Sequence, residues 1–260
     1  MTKERSYPMT SLAFKQLVRR LRGALVICLA LGLAVPATAS ALNVYAASSL
    51  RDVFTQITAS PTYNFAGSNQ LQLQIERGAP ADVFASASPQ EARALFKQGG
   101  CTRPVTFATN KLVLIVPNSN PGRVKSIFSL RSGGRTLAIG SASVPVGSYT
   151  RALLRRLGLS KILQTNTVSQ EANVASIVSK VALGSADAGL AYASDARIAR
   201  DRVKLIRLPR YAQPPVRYQI CQVIRAGADA AGAKAFIASV RSGRGRSLLK
   251  AGGFGLPPKG

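Results

Sequence analysis

The chain of 260 residues contains no histidine, no tryptophan, only three cysteines and only ten Asp and Glu residues. Without histidine a Ser-His-Asp triad is impossible. No cluster of residues has metal-ligand spacing, and no G-x-S-x-G elbow, P-loop or G-x-G-x-x-G motif occurs. An enzyme that pairs a serine with a lysine is the remaining alternative, but no lysine lies in a sequence pattern that indicates such a role. We therefore expect a protein that is not an enzyme and needs no cofactor or metal.

The N-terminal region has the pattern of a secretory signal. A basic stretch, 1–23, precedes the apolar run 24–34, which is short for a membrane span. Small residues follow, with possible cleavage near Ala39 or Ala41. The order of these regions predicts a signal peptide over 1–39 and export to the periplasm, the alternative being an uncleaved anchor. Cys28 lies in the apolar run, but the bulky Ile27 before it argues against lipoprotein processing.

The scarcity of acidic residues leaves the protein strongly basic. Removal of 1–39 would leave 29 Lys and Arg against nine Asp and Glu, a charge of +20. Such a charge is typical of nucleic-acid binders, but the basic residues are scattered and no zinc or RNP motif accompanies them. We favour general steering of anions as the explanation, with no binding of nucleic acid.

Two cysteines, Cys101 and Cys221, lie beyond the signal region. In an oxidising compartment such a pair is able to form a disulfide. Two buried free thiols are the alternative, and the sequence leaves both open.

Strand-like and helix-like segments alternate from Leu42 onward. Short apolar runs precede helical periodicity three times before residue 100, which indicates a parallel sheet covered by helices. A long strand is expected over 108–117, then a second series, another long strand over 216–224 and C-terminal helices. We predict an α/β protein of two lobes, each a mostly parallel sheet flanked by helices: lobe I from 40–109 and 217–260, and lobe II from 110–216.

Small and hydroxyl-bearing residues occupy the predicted strand-to-helix junctions. In open parallel sheets ligands bind at the carboxyl ends of strands, and each helix N-terminus offers unpaired N–H groups to an anion. The junctions are 48–49, 67–68, 144–147 and 173–174. Each serine taken alone is more simply a helix cap. Several such junctions meeting between two lobes favour an anion site.

Five segments together resemble the periplasmic molybdate-binding proteins of ABC transporters. They are "VYAASSLRDVF", "FAGSNQLQLQIERGAPADVFASA", "ATNKLVLIVP", "SVPVGSYTRALLRRLG" and "GLAYASDA", and the resemblance runs from Leu42 to Phe254. It implies a two-lobed type II periplasmic-binding fold, an oxyanion held in the cleft without metal or cofactor, and delivery to a membrane permease. We expect a monomer.

The resemblance also implies the ligand-binding residues. They are Ser49, Ser68, Val146, Val174 and Tyr192: hydroxyls of the serines and the tyrosine, with backbone N–H groups of Ser49 and the valines. The sequence departs from the family where Gly67 and Asn69 stand in place of serines and Ser48 in place of alanine.

A site of neutral donors suits a fully deprotonated tetrahedral dianion. A protonated phosphate would bring a donor that finds no acceptor there. Molybdate, tungstate and sulfate differ chiefly in size, and only the resemblance selects molybdate. A sulfate or other oxyanion carrier is therefore the rival within binding proteins, and a basic surface or nucleic-acid-binding protein is the rival of another class.

Overall fold

The structure, a computed structural model, describes residues 41–257. The signal peptide expected over 1–39 lies outside the described residues. Within 41–257 no helix is both long and apolar enough to cross a bilayer.

Ten strands and nine helices make up the regular structure of the described residues. The strands are β1 (Asn43–Ala47), β2 (Thr62–Ala66), β3 (Val83–Ser86), β4 (Val105–Asn110), β5 (Leu112–Pro117), β6 (Thr136–Gly140), β7 (Thr167–Glu171), β8 (Ala188–Tyr192), β9 (Val203–Arg207) and β10 (Val216–Gln222). The helices are α1 (Arg51–Ile57), α2 (Ser68–Glu76), α3 (Pro89–Lys97), α4 (Pro145–Arg156), α5 (Ile162–Thr165), α6 (Val174–Ala182), α7 (Ala193–Ile198), α8 (Ala230–Arg241) and α9 (Gly243–Ala251). Three short 3₁₀ segments add Ser48–Leu50, Ile127–Ser132 and Arg210–Ala212.

The strands form two separate five-stranded sheets. The first has the order β2-β1-β3-β10-β4 and the second β7-β6-β8-β5-β9. In the first sheet only β10 is antiparallel to the other strands, and in the second only β5 is. Each antiparallel strand is the one that the chain enters on passing from one sheet to the other. The expectation of an α/β fold with two mostly parallel sheets is confirmed.

The expectation of one long strand over 108–117 is wrong. The chain leaves β4 at Asn110 and enters β5 at Leu112, so the apolar run serves two sheets. At the break, the Asn110 Oδ1 atom accepts a hydrogen bond of 2.9 Å from the Lys111 N–H. A side chain thus takes the place of a strand partner at the point where the backbone changes sheet.

Local patterns also missed several elements of the second sheet. The polar segment of β7 and the largely exposed β9 lack the apolar run or strict alternation that predicts a strand. These elements depend on pairing with neighbouring strands, which local periodicity does not reveal.

The two segments that cross between the sheets are tied together by one side chain. The Gln213 Oε1 atom accepts from the Leu112 N–H at 2.9 Å, and its Nε2 atom donates to the Leu112 carbonyl at 2.8 Å. The amide thereby imitates one residue of a strand ladder. It pairs the start of β5 with the segment that leads into β10.

A small second core lies on one face of the first sheet. It contains both cysteines, which are buried free thiols. Of the two interpretations of Cys101 and Cys221 that the sequence leaves open, the structure has the reduced pair.

Candidate functional site

Parallel pairing aligns the carboxyl ends of three strands in the first sheet. Ala47, the last residue of β1, pairs with Ala66, the last of β2, and the neighbouring Ala46 pairs with Ala85 of β3. The residues that follow these strands therefore meet at one edge. They include Ser49 in the 3₁₀ turn and Ser68 as the first residue of α2.

The second sheet presents an equivalent edge. Gly140, at the end of β6, pairs with Glu171 at the end of β7, and Tyr192 is the last residue of β8. The helices α4 and α6 begin after the first two of these strands, which brings Val146 and Val174 into their first turns.

One small cavity joins the two edges. The lining residues are Ala47, Ser48, Ser49, Ala66, Gly67, Ser68, Ala87, Val144, Pro145, Val146, Asn173, Val174 and Tyr192. All five residues expected to bind the ligand are among them, and so is Ser48. None of the lining side chains is charged, so the cavity offers a ligand only neutral groups.

The Ser68 hydroxyl is oriented by the backbone just beyond the end of β3. Its oxygen accepts a hydrogen bond of 3.0 Å from the Ala87 N–H. Because the oxygen already accepts this bond, the hydroxyl proton is left to donate. Ser68 is buried, so that donation is directed into the cavity that it lines.

The Ser49 hydroxyl has a partner that sequence reasoning missed. Its Oγ atom lies 2.9 Å from the hydroxyl of Tyr218, which stands 169 residues further along the chain on β10. Both side chains are buried. No local signal marks Tyr218, because an aromatic residue in an apolar strand is expected to be part of the core.

The hydroxyl of Tyr192, one of the residues that line the cavity, has no hydrogen-bond partner within residues 41–257. It is one of four buried side-chain oxygens without a hydrogen bond among the described residues. Burial raises the pKa of Tyr192 well above its ordinary value, so the phenol keeps its proton. A buried polar group of this kind costs free energy unless something bonds to it. The arrangement thus leaves one hydrogen bond to be made by an occupant of the cavity.

The helices α4 and α6 direct their N-termini at the same space. The N–H groups of a first helical turn have no carbonyl partner within the helix and carry the positive end of its dipole. Gly147 lets α4 approach β6 closely, since a Cβ atom there would lie 1.9 Å from the Ser141 carbonyl oxygen. At α6 the Asn173 Oδ1 atom caps the Ser176 N–H at 3.0 Å, so it is already engaged as an acceptor.

The two edges touch each other beside the cavity. The Asn69 Nδ2 atom donates to the Ser143 hydroxyl at 3.2 Å. At Gly67 the backbones come so close that a Cβ atom would lie 2.3 Å from the Ala172 carbonyl oxygen. Both positions depart from the serines that the resemblance leads one to expect, and both make contacts between the two halves.

Two carboxyl groups lie near the site, but neither lines it. Burial raises the pKa of Glu91, which accepts hydrogen bonds from Ser86 and Ser88. Burial also raises the pKa of Asp195 to about 7. Within residues 41–257 no three His, Cys, Asp or Glu side chains are grouped so that they could hold a metal ion.

Comparison with known proteins gives the family. Residues 42–255 match the family model described as "Bacterial extracellular solute-binding protein". The chain belongs to this family. Its members are solute-binding proteins rather than enzymes, in agreement with the expectation drawn from the missing histidine.

Individual relatives are consistent with the family model. The chain is 36% identical to the molybdate-binding protein ModA of Mycobacterium tuberculosis, over 84% of this chain and 86% of that protein. It is 32% identical to ModA of Escherichia coli, over 82% and 88% of the two chains. Among solved structures, the periplasmic molybdate-binding protein of Azotobacter vinelandii matches this solute-binding protein with a TM-score of 0.74 at 25% identity, covering 83% of this chain and 99% of that one.

Proposed function

We propose that this solute-binding protein captures molybdate, and also tungstate, in the cavity between its two sheets and delivers the anion to the permease of an ABC transporter. The relatives from M. tuberculosis, E. coli and A. vinelandii support the ligand, since each is named as a molybdate-binding protein. The observation that carries the proposal is the Tyr192 hydroxyl, a buried donor without a partner in a cavity lined only by neutral residues.

Five residues hold the oxyanion in this proposal. The hydroxyls of Ser49, Ser68 and Tyr192 donate to its oxygens, and the backbone N–H groups of Ser49, Val146 and Val174 supply the remaining hydrogen bonds. The positive ends of α4 and α6 spread the compensating charge, so no buried lysine or arginine is needed. Hydrogen bonds to a charged group contribute about 1.5–3 kcal/mol each, enough for several to offset the desolvation of the anion.

The two sheets are the cores of two hinged lobes in this proposal. Lobe I comprises 40–109 and 217–260, and lobe II comprises 110–216. The end of β4 at Asn110 and the start of β10 at Val216 support these boundaries, each within a residue. Binding closes the lobes around the ion by rotation at the two crossing segments, which the Gln213 amide links.

The protein acts outside the cytoplasm, as the family description indicates. We propose that residues 1–39 direct its export, that cleavage occurs near Ala39 or Ala41, and that the mature protein is a periplasmic monomer that does not bind nucleic acid. Native mass spectrometry of the secreted protein tests these points together through its mass, its stoichiometry and a bound oxyanion.

Calorimetry with molybdate, sulfate and a DNA duplex separates the proposed function from its rivals. We expect molybdate to bind tightly, with little dependence on salt, because the site binds through fixed neutral donors. A sulfate carrier would instead bind sulfate more tightly. Heat from DNA with a steep salt dependence, and none from molybdate, would refute the proposal.

The Ser49→Ala substitution tests the site. It should weaken molybdate binding by about 1–3 kcal/mol, the range for loss of a hydrogen bond to a charged partner. Ser60→Ala is the control, because Ser60 is exposed and bonds only within its own turn. The Ser49 hydroxyl caps neither the 3₁₀ turn nor α1. Equal affinities of the two variants would therefore refute its binding role and leave it only the contact with Tyr218.

A further inference from the structure

A series of buried hydrogen bonds connects Asn110 through Tyr218 to Ser49, a residue that lines the cavity. The Asn110 Nδ2 atom lies 3.4 Å from the Tyr218 hydroxyl, and the Tyr218 hydroxyl lies 2.9 Å from the Ser49 Oγ atom. All three residues are buried, Tyr218 completely. The series joins the last residue of β4 to the first binding junction through the middle of β10.

The direction of donation in this series is determined at Asn110. Its Oδ1 atom accepts from the Lys111 N–H, so the Nδ2 atom must face the other partners. That nitrogen has two protons and two neighbours, the Ser194 hydroxyl at 2.8 Å and the Tyr218 hydroxyl at 3.4 Å. Asn110 is therefore the donor to Tyr218.

The same direction passes on to Ser49. Tyr218 has a single proton, and burial raises the pKa of this phenol well above its ordinary value, so the proton stays. Because its oxygen accepts from Asn110, that proton is donated to the Ser49 oxygen. The Ser49 hydroxyl then has its own proton left for the cavity that it lines.

We propose that Tyr218 is a specificity-determining positioning residue: it holds Ser49 as a donor toward the cavity, so that the site rejects oxyanions that carry a proton. This rests on the proposed function of the cavity as an oxyanion site. At Ser68 the backbone N–H of Ala87 has the same effect, and no side-chain substitution removes it. Of the two serines, only Ser49 depends on a replaceable side chain for its orientation.

With the Tyr218 hydroxyl present, its bond to the Ser49 oxygen holds the Ser49 proton toward the cavity. Removal of the Tyr218 hydroxyl would let the Ser49 hydroxyl rotate, so that it could turn a lone pair instead of its proton toward the cavity. A deprotonated anion would lose the fixed orientation of one donor. A protonated anion would gain an acceptor for its own proton. Selectivity is a difference between two affinities, and these two changes reduce that difference from both sides.

The test is displacement calorimetry on Tyr218→Phe with molybdate, sulfate and inorganic phosphate at neutral pH, where phosphate retains a proton. We expect the molybdate-to-phosphate affinity ratio to fall roughly tenfold or more, about the effect of one misoriented hydrogen bond. The molybdate-to-sulfate ratio should stay unchanged, since neither anion carries a proton. Equal ratios in variant and wild type, or proportional losses for all three anions, would overturn the proposal.

Tyr63→Phe is the matched control. Its hydroxyl donates to the carbonyls of Phe54 and Thr58 in the first half of the chain, away from the cavity, so all ratios should match those of the wild type. Asn110→Ala keeps the Tyr218 ring but removes its donor, and should move the phosphate ratio in the same direction as Tyr218→Phe.

A double-mutant cycle isolates the role of Ser49. In a Ser49→Ala background, Tyr218→Phe should no longer change the molybdate-to-phosphate ratio. A change that persists in that background would refute the proposal that Tyr218 acts through Ser49. Melting temperatures of all variants show whether each one is folded. Failure of the wild-type chain to bind any of the three anions would refute the proposed function itself, whatever the variants show.

Discussion

Gly67→Ala tests whether the two halves must approach as closely as they do beside the cavity. The new Cβ atom would lie 2.3 Å from the Ala172 carbonyl oxygen, and separations under 3.0 Å essentially never occur, so the backbones must part by at least about 0.7 Å. The nearby Asn69 Oδ1 atom, at 2.9 Å, belongs to a side chain that is able to move. The backbone carbonyl of Ala172 is the obstacle.

The expected loss of affinity follows from the donors on the far side. Separation of the halves would stretch the hydrogen bonds proposed from Val146, Val174 and Tyr192. A loss of about 1 kcal/mol at each amounts to about 3 kcal/mol, or a 100- to 200-fold weaker affinity for molybdate. Dissociation should become faster while association changes little.

Folding should be affected much less than binding, which separates this effect from general damage. Gly67 has φ −66° and ψ 137°, a conformation that alanine adopts readily, so the backbone of the first half is not strained. Because the clash lies between the two halves, the melting temperature without ligand should fall only by what the contacts beside the cavity contribute. Gly243→Ala is the control, because a Cβ atom there has no neighbour within 4 Å. Wild-type affinity in a fully folded Gly67→Ala protein would refute the reasoning.

Three further predictions concern stability and reactivity. Burial raises the pKa of Asp195 from 3.8 to about 7, so between these pH values the unfolded chain releases a proton that the folded protein keeps. The free energy of unfolding, measured by urea titration, should therefore fall by up to about 4 kcal/mol as the pH rises from 3.8 to 7. Asp195→Asn should remove that fall, whereas Asp201→Asn, at an exposed position, should not. Parallel pH profiles of Asp195→Asn and wild type would contradict this. Asp82 accepts two backbone N–H groups and an arginine guanidinium, so Asp82→Ala should cost about 2–4 kcal/mol by urea denaturation, and a loss no larger than that of Asp201→Asn would disprove its structural role. Cys101 and Cys221 are buried, and the hydrogen bond that the Cys221 thiol donates to Cys101, together with burial, raises the pKa of Cys221. Intact mass should therefore show alkylation of both cysteines only after denaturation, and a mass unchanged in denaturant without reductant would instead indicate a disulfide.

Much of the fold could be predicted from local pattern. The apolar run of β1 and the i, i+3, i+4, i+7 spacing after it are periodicities of a strand and a helix, and a chain segment carries them wherever it lies. The strand-to-helix junctions could be located for the same reason. Since parallel strands end at a common edge, the convergence of Ser49 and Ser68 followed from the fold class.

Contacts between distant segments could not be predicted in this way. The sequence alone determined an α/β chain with an N-terminal export pattern, without the residues of a catalytic triad, and with hydroxyls and glycines at its junctions. Only the tertiary structure decided that the run over 108–117 divides between two sheets, that Gly67 meets Ala172, and that Tyr218 reaches Ser49. The physical reason is that local periodicity depends on a few neighbouring residues, whereas these contacts depend on which distant strands share a sheet and on how the two sheets approach each other across the cavity.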